Sequence, residues 1–546
     1  YETPLARRPG AAVSAARGIF LVNGAPPAPA TYAPTTLFLL EELVESVTRR
    51  AAVLAAAGPP LLATCRALLA QPQRHPAELA RAWVAAVRVL GAQAHHGADV
   101  HADVAALLDT AAQLPAPLHA ELAPAVLGAL DAFVRAHADQ LATPAAWQQL
   151  AHVVTTYAAT QRADAARLAF ALTQHALRDA CTATNYAALV ELARELIAST
   201  DRALWLATRE ARDAHRRTLT EKRARADWEE AAQAATLALL PALAHVHKTL
   251  PARLAADGAG AWPQYWLPLA AALAQPCVNA SRATRQAAVA HLQRVVLAPE
   301  MLQTAPAPAA PHLAAVFANI LLPLLETLCK PETLRTDARA FGEGASVPAM
   351  RVHVAMLVCR AWVHFQAPLS DGIAGDDAAR QRFVDLWLAV LRLVAPCMRE
   401  QDAEAVGEQV KNMLLVMHAA QLLHTPGVWD PTWALLDPVD AGLRGVVAGA
   451  EGADSAAAAG PARASADAPA GPADAPPAAP PAEAPRGVQE AQAPAPAPQG
   501  AQEAQAPAPA GPETPAAPAA PGATERAADP SADPAAAAPA APLDLS

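Results

Sequence analysis

The sequence predicts an all-α protein, an α-solenoid of degenerate HEAT/armadillo/TPR-like helical repeats with a disordered carboxyl-terminal tail. Between about Thr35 and Val447 nearly every apolar cluster recurs at three and four residues, the period of one helix face, and alternating strand patterns are scarce. Pro and Gly break these stripes at intervals suited to short paired helices. A long run of such pairs, with no cofactor signature among them, favours a stack of repeats over a single bundle.

In chain order, residues 1–34 are expected to be a flexible amino-terminal segment, 35–250 a first helical repeat region, 251–447 a second, HEAT-like one, and 448–546 a disordered tail. Leu37, Leu40, Val44 and Val47 make the first apolar stripe. Trp83, Val87 and Leu90 make another, followed by Leu127, Leu130 and Val134, then by Leu189, Leu192 and Leu196. Gly58-Pro59-Pro60, Pro115-Ala116-Pro117, Pro144 and Pro251 are the expected breaks. Loops are expected at Thr304–Pro311, Lys330–Pro348 and Asp371–Asp377. Ser281 is a good N-cap for a helix whose Val289, Leu292 and Val296 face inward, and Arg285, Ala288 and Leu292 resemble the second helix of a HEAT repeat. Val406, Val410, Met413 and Met417 recur at four, three and four residues and define one buried stripe.

The tail is made of Ala, Pro, Gly and acidic residues, with Gln-Glu-Ala-Gln-Ala-Pro-Ala-Pro-Ala occurring at both Gln489 and Gln502. It has no aromatic residue and few branched ones, so it cannot offset a backbone ordering cost of roughly 1 to 2 kcal/mol per residue. Twelve acidic and three basic side chains after Gly449 hold nine of the ten formal negative charges, which leaves the body almost neutral. A nucleic-acid binder would carry a basic stripe or a strongly basic domain, so no nucleic-acid partner is expected. Cys65, Cys181, Cys277, Cys329, Cys359 and Cys397 lie far apart without a Cys-x-x-Cys pair, as reduced cysteines of a cytosolic protein do. The Asn279-Ala280-Ser281 triplet fits a glycosylation acceptor and reads as a chance match. No uninterrupted apolar run reaches the roughly 18 residues that span a bilayer, and the first residues lack a basic start before an apolar core. The start at Tyr1 rather than Met reads as a fragment or processed product.

Catalytic patterns are absent: no Walker loop, dinucleotide-type Gly-rich turn, Gly-x-Ser-x-Gly elbow or His-Glu-x-x-His pair is present. No catalytic, cofactor-binding or metal-binding residue is assigned. His95, His96 and His101, with Asp99 and Asp103, read as a solvated loop rather than a zinc site, which needs a better-defined set of four ligands. Arg216, Arg217, Lys222, Arg223 and Arg225 stand among Glu210, Glu221, Asp227, Glu229 and Glu230, the mixture of a solvated helix face laced with ion pairs. The competing reading of those five basic groups is contact with anionic lipid, at roughly 1 kcal/mol each.

Several segments, in order, resemble the downstream helical region of the large Golgi-type Arf guanine-nucleotide exchange factors of the brefeldin A-resistance class, in a fungal-like form. They are Trp262-Pro263-Gln264-Tyr265-Trp266-Leu267-Pro268-Leu269, the Arg282–Leu297 helix, and Phe317-Ala318-Asn319-Ile320-Leu321-Leu322-Pro323-Leu324-Leu325. Met350-Arg351 and Trp387-Leu388 follow, then Val410-Lys411-Asn412-Met413-Leu414-Leu415-Val416-Met417, the most specific of all, and Trp429 and Trp433 close the pattern. The resemblance covers Ala261 to Leu436 well; from Thr35 to Leu250 it rests on order, helix content and the Leu39–Arg50 segment. Arg285, Leu292, Met413, Met417, Trp429 and Trp433 are its structural motif residues. The family's exchange domain, which displaces magnesium and phosphate from Arf with an invading glutamate, has no counterpart among these residues, so no catalytic residue is carried over.

The resemblance implies a non-catalytic region for membrane recruitment and control of exchange, in Golgi and ER–Golgi traffic. It implies an Arf-family small GTPase as partner of the missing exchange domain, and Golgi membrane or Golgi proteins as partners of this region. It also implies a cytoplasmic protein held peripherally on Golgi membranes, with homodimerisation through upstream regions. The alternative is a free-standing HEAT-like cytosolic scaffold unrelated to Arf.

Overall fold

The computed structural model describes residues 34–210, 218–330, 346–399 and 404–449. Residues 1–33 of the expected flexible segment, residues 331–345 of the expected loop Lys330–Pro348, and the tail from 450 onward lie outside these residues. The described chain begins with α1 (Pro34–Thr48), α2 (Ala51–Leu69), α3 (Pro76–His95), α4 (His101–Ala112), α5 (Ala116–His137), α6 (Pro144–Ala158) and α7 (Ala163–Asp179). It continues with α8 (Tyr186–Glu210), α9 (Leu219–His245), α10 (Leu250–Asp257), α11 (Trp262–Ala274), α12 (Arg282–Val296) and α13 (Pro299–Gln303). Then come α14 (Ala310–Val316), α15 (Leu322–Cys329), α16 (Ser346–Leu369), α17 (Asp377–Val394), α18 (Glu404–Ala419) and α19 (Trp429–Leu436). No strand occurs among the described residues.

These helices form two parallel rows. One row runs α1, α3, α5, α7, α9, α12, α16, α18, each member packed on the next; the other runs α2, α4, α6, α8, α11 and, past α14 and α15, α17 and α19. Consecutive helices lie in opposite rows wherever a short turn joins them, so each pair buries its apolar stripes against the pairs before and after it. This is the all-α solenoid expected from the periodicity, and one hydrophobic cluster runs through it from Leu40 to Val447.

Proline acts here in two ways. Pro76, Pro144, Pro251 and Pro299 stand in the first turn of α3, α6, α10 and α13, where a missing N–H costs nothing. Gly58-Pro59-Pro60, expected as a break, instead lies inside α2. Both prolines face solvent, where water can take the freed carbonyls, while buried Leu54 before them and Leu61, Leu62 and Cys65 after them hold the helix together. A Cβ on Gly58 would come 2.9 Å from the Gln93 side-chain nitrogen of α3, so a larger residue there requires the end of that side chain to shift. Pro323 follows a π-helical turn, Phe317–Leu321, that joins α14 to α15 and absorbs the lost hydrogen bond.

Ala51–Leu69, Ala116–Gln140 and Ala310–Cys329 are long and apolar enough to cross a membrane by length and composition, which corrects the expectation that no such segment exists. That expectation required an uninterrupted apolar run, whereas these helices are interrupted by Pro, Gly and a few polar residues. Their apolarity has a packing explanation: each contributes to the common core, through Leu54 and Leu69, Val126 and Phe133, and Phe317 and Leu325.

Aromatic side chains carry the core of the second half. Trp262, Trp266, Trp362 and Trp387 are fully buried, and Trp362 contacts Phe317, Phe383 and Trp387 with ring centroids 5.8, 5.5 and 5.0 Å away. Two indoles use one device. Trp266 Nε1 donates to Thr304 Oγ1 at 3.0 Å, and Thr304 donates to the Glu300 carbonyl. Trp387 Nε1 donates to Thr432 Oγ1 at 2.8 Å, and Thr432 donates to the Val428 carbonyl.

Thr432→Val keeps the shape but removes the acceptor of a buried indole, so it is expected to lower unfolding stability by about 1 to 3 kcal/mol in urea titration. Met413 is buried and Lys411 half-exposed beside Glu408 at 3.5 Å. Met413→Asp is expected to abolish the cooperative transition, because it places an unpaired charge in the core, while Lys411→Ala shifts stability by less than about 0.5 kcal/mol. Equal and mild effects would mean that α18 packs on nothing.

Candidate functional surface

At the start of α9 the chain presents a small cationic and apolar patch. Thr218 caps the helix: its hydroxyl accepts from the Glu221 N–H at 3.3 Å, and the Glu221 carboxylate accepts from the Thr218 N–H at 2.9 Å. Leu219, Lys222 and Arg223 then fall at i, i+3 and i+4 and share one face. Leu219 is 86% exposed, the barest large apolar side chain among the described residues, and Lys222 and Arg223 are exposed with it. Arg225 turns away and pairs with Glu229 at 2.9 Å. Arg216 and Arg217 lie outside the described residues. The interleaved carboxylates therefore occupy Arg225 and the cap, and leave Lys222 and Arg223 in solvent beside a bare leucine.

A separate apolar cluster fixes this end of α9: Trp228 and Ala232 pack with Leu204 of α8, Ala166 of α7 and Ala280, joined by Ala203 and Trp205. The Ala280 end is held by polar contacts. Asp201 of α8 accepts from the Ala280 N–H at 2.7 Å, and buried Arg285 of α12 donates through Nη1 to the Asn279 and Ala280 carbonyls at 2.6 and 2.9 Å. Ser281 caps α12 by accepting from Thr284 N–H. Burial pushes the Asp201 carboxyl up to about 6, against the opposing pull of the Ala280 N–H and the Arg285 charge. The patch thus sits on a braced crossing of α7, α8, α9 and α12.

The other singled-out residues are internal. Leu292, Met413, Met417 and Trp433 are buried, and Arg285 acts as the brace just described. Trp429 is half-buried, stacked on His424 at 5.4 Å and edge-on to Trp433 at 5.5 Å. His95 ends α3 and His101 opens α4, so only His96 lies in the connecting turn. No group of three or more His, Cys, Asp or Glu side chains among the described residues is placed to hold a metal ion. Cys65, Cys277, Cys359 and Cys397 are buried, and none of the six cysteines is in a disulfide. Asn279 is buried, with Oδ1 accepting from Ser281 N–H, so it presents no glycosylation acceptor.

Two clefts open along the first row. One, of about 500 Å³, lies between α7 and α9 over an alanine floor, with Arg167, Asp227 and Glu230 on its rim; the other, about 310 Å³, lies between α12 and α16 beside Gln286, Met350 and His353. Sequence reading missed both, and it missed Leu219. The signal for Leu219 was there: its i+4 neighbour is Arg223, so it lacks the apolar partner that every core stripe supplies.

Fold and packing define the class as an all-α solenoid of TPR-like repeats. Residues 266–443 match the family model described as GBF1-like, tetratrico peptide repeat region. A 218-residue stretch is 28% identical to the Golgi-specific brefeldin A-resistance guanine nucleotide exchange factor 1 homolog of Caenorhabditis elegans, covering 37% of this chain and 10% of that relative. The chain therefore matches about a tenth of the relative's length. No solved structure matches the chain. The resemblance read from Trp262 through Trp433 is borne out, and the match falls on a repeat region rather than a catalytic domain.

Because the folded carboxyl of Asp201 binds its proton more tightly than an unfolded one of about 3.9, the native state holds more protons between about pH 4 and pH 6. Its contribution to stability is therefore fully present below about pH 4 and is lost as pH rises through 6, by at most about 3 kcal/mol. Asp201→Asn keeps an acceptor for Ala280 and removes the titration. Melting curves of the wild type and this variant are expected to converge at pH 4, and to diverge in favour of the variant towards pH 7.

Proposed function

We propose that this chain is a non-catalytic regulatory and membrane-recruitment region of an Arf guanine-nucleotide exchange factor, acting in Golgi and ER–Golgi vesicle traffic. The observation that carries the reading is the match of 266–443 to a GBF1-like repeat region. The name of the C. elegans relative supports the exchange-factor and Golgi context. In this reading an Arf-family GTPase is engaged by an exchange domain distinct from these repeats. The repeats work from the cytoplasm, peripherally on Golgi membranes, through lipid or Golgi proteins.

The membrane part rests on Leu219, Lys222 and Arg223. A bare leucine can insert at the headgroup boundary while two cations one turn away meet anionic lipid, each adding roughly 1 kcal/mol. A patch this small gives weak, reversible attachment, as suits a region that assists recruitment by other contacts.

Purified 1–546 is expected not to accelerate nucleotide release from Arf, and acceleration would overturn the non-catalytic assignment. The same protein is expected to bind anionic, Golgi-like liposomes weakly, and to release them as salt rises and the Debye length falls from about 10 Å at 0.1 M to about 3 Å at 1 M. Lys222→Glu with Arg223→Glu should remove that binding, and Leu219→Asp should weaken it at all salt concentrations. Cosedimentation unaffected by these changes would reject the patch and leave protein partners as the route to the membrane.

A further inference from the structure

The larger cleft, about 500 Å³, is a groove between two packed neighbours of the first row, running over 163–174 of α7 and 227–238 of α9. Each of these stretches rises about 16 Å, or three helical turns. Asp227, Glu230, Ala234 and Ala238 follow one another at three, four and four residues, so they form a single stripe that makes the α9 wall. Buried Phe170 of α7 lines the groove from the core side, while Ala234 and Ala238 lie exposed along it.

The two walls carry opposite charge. Arg167 stands on the α7 side and Asp227 and Glu230 on the α9 side, all three exposed. None of them forms an ion pair with another described residue, although on the same two helices Arg162 pairs with Asp164 at 2.6 Å and Arg225 with Glu229 at 2.9 Å. Opposite charges held apart across an apolar floor are complementary to an occupant that brings its own charges between them. A groove open along its length suits a helix better than a small molecule, which needs a cavity that buries most of its surface. The two carboxylates of the α9 wall would repel an anionic membrane.

We propose that this groove docks an amphipathic helix of a partner protein, about three turns long. The helix lays an apolar ridge, with the i, i+4, i+7 spacing of one face, on the alanine floor. One flank presents Lys or Arg to Asp227 and Glu230, and the other presents Glu or Asp to Arg167. Alanine at 234 and 238 lets the incoming axis approach to the lower end of the roughly 8 to 10 Å usual between packed helices. The charges also fix its direction, because a reversed helix would set each flank against the wall of like sign.

The probes are two stapled peptides of about fifteen residues with the same alanine and leucine ridge, the staple being needed because isolated helices of this length are marginal. One has a lysine flank and a glutamate flank; the other has lysine on both. In fluorescence anisotropy with the full chain, the first is expected to bind about fivefold more tightly than the second. Arg167→Glu is expected to reverse that preference. Ala234→Trp fills the groove from an exposed position, and is expected to abolish binding of both peptides while leaving the melting curve unchanged. Failure of the wild type to bind either peptide, or equal binding of the two, would overturn the proposal. So would a preference that Arg167→Glu leaves in place, or undiminished binding by a folded Ala234→Trp variant.

Discussion

A buried indole brings about the largest apolar surface a side chain can offer together with one N–H that must be placed, and the second half of this protein is organised around that demand. Trp266 and Trp387 solve it identically: each donates its N–H to a threonine hydroxyl, which in turn donates a hydrogen bond to the carbonyl four residues earlier. The threonine can serve both ways only because a hydroxyl donates once and accepts twice. Thr304 and Thr432 lie 38 and 45 residues beyond their tryptophans, so each bond ties a helix to a later one in the stack. Trp362, wedged among Phe317, Phe383 and Trp387, has no such partner for its N–H, and its ring contacts must outweigh that loss.

The first half holds together differently. Its helices are rich in alanine, and small side chains let neighbouring axes come close, as in the packing of α7 on α9. Close backbones give good dispersion contact per residue but little apolar area each. Polar braces then matter more at the crossing between the halves. There Arg285 ties down two carbonyls and Asp201 one N–H across α8, α12 and the turn before α12. Burying these groups is costly, and their hydrogen bonds offset that cost by fixing the angle at which α12 enters the stack.

Fold class and helix order were legible because a period of 3.6 survives extensive alanine substitution: Leu189, Leu192 and Leu196 still mark a face with Ala187, Ala188 and Ala193 among their neighbours. What was not legible has physical causes. Gly58-Pro59-Pro60 has the local chemistry of a break, but α2 continues through it because the flanking leucines are buried and the freed carbonyls reach water. Membrane-length helices escaped a search for unbroken apolar runs because polar residues and prolines punctuate them without ending them. The indole–threonine pairs join residues far apart in sequence, and no local pattern announces them.

The candidate surface was half legible for a related reason. Charge clustering around Arg216–Arg225 is visible in one dimension, but which cations are already spent depends on helix phase. Arg225 falls four residues before Glu229 and is paired; Lys222 and Arg223 fall on the face of Leu219 and are not. A solvated, ion-paired face and an unpaired cationic patch beside a bare leucine thus coexist on a single helix, separated by about a third of a turn. Helix phase, more than the number of basic residues, decides which cations of this segment remain open to a partner.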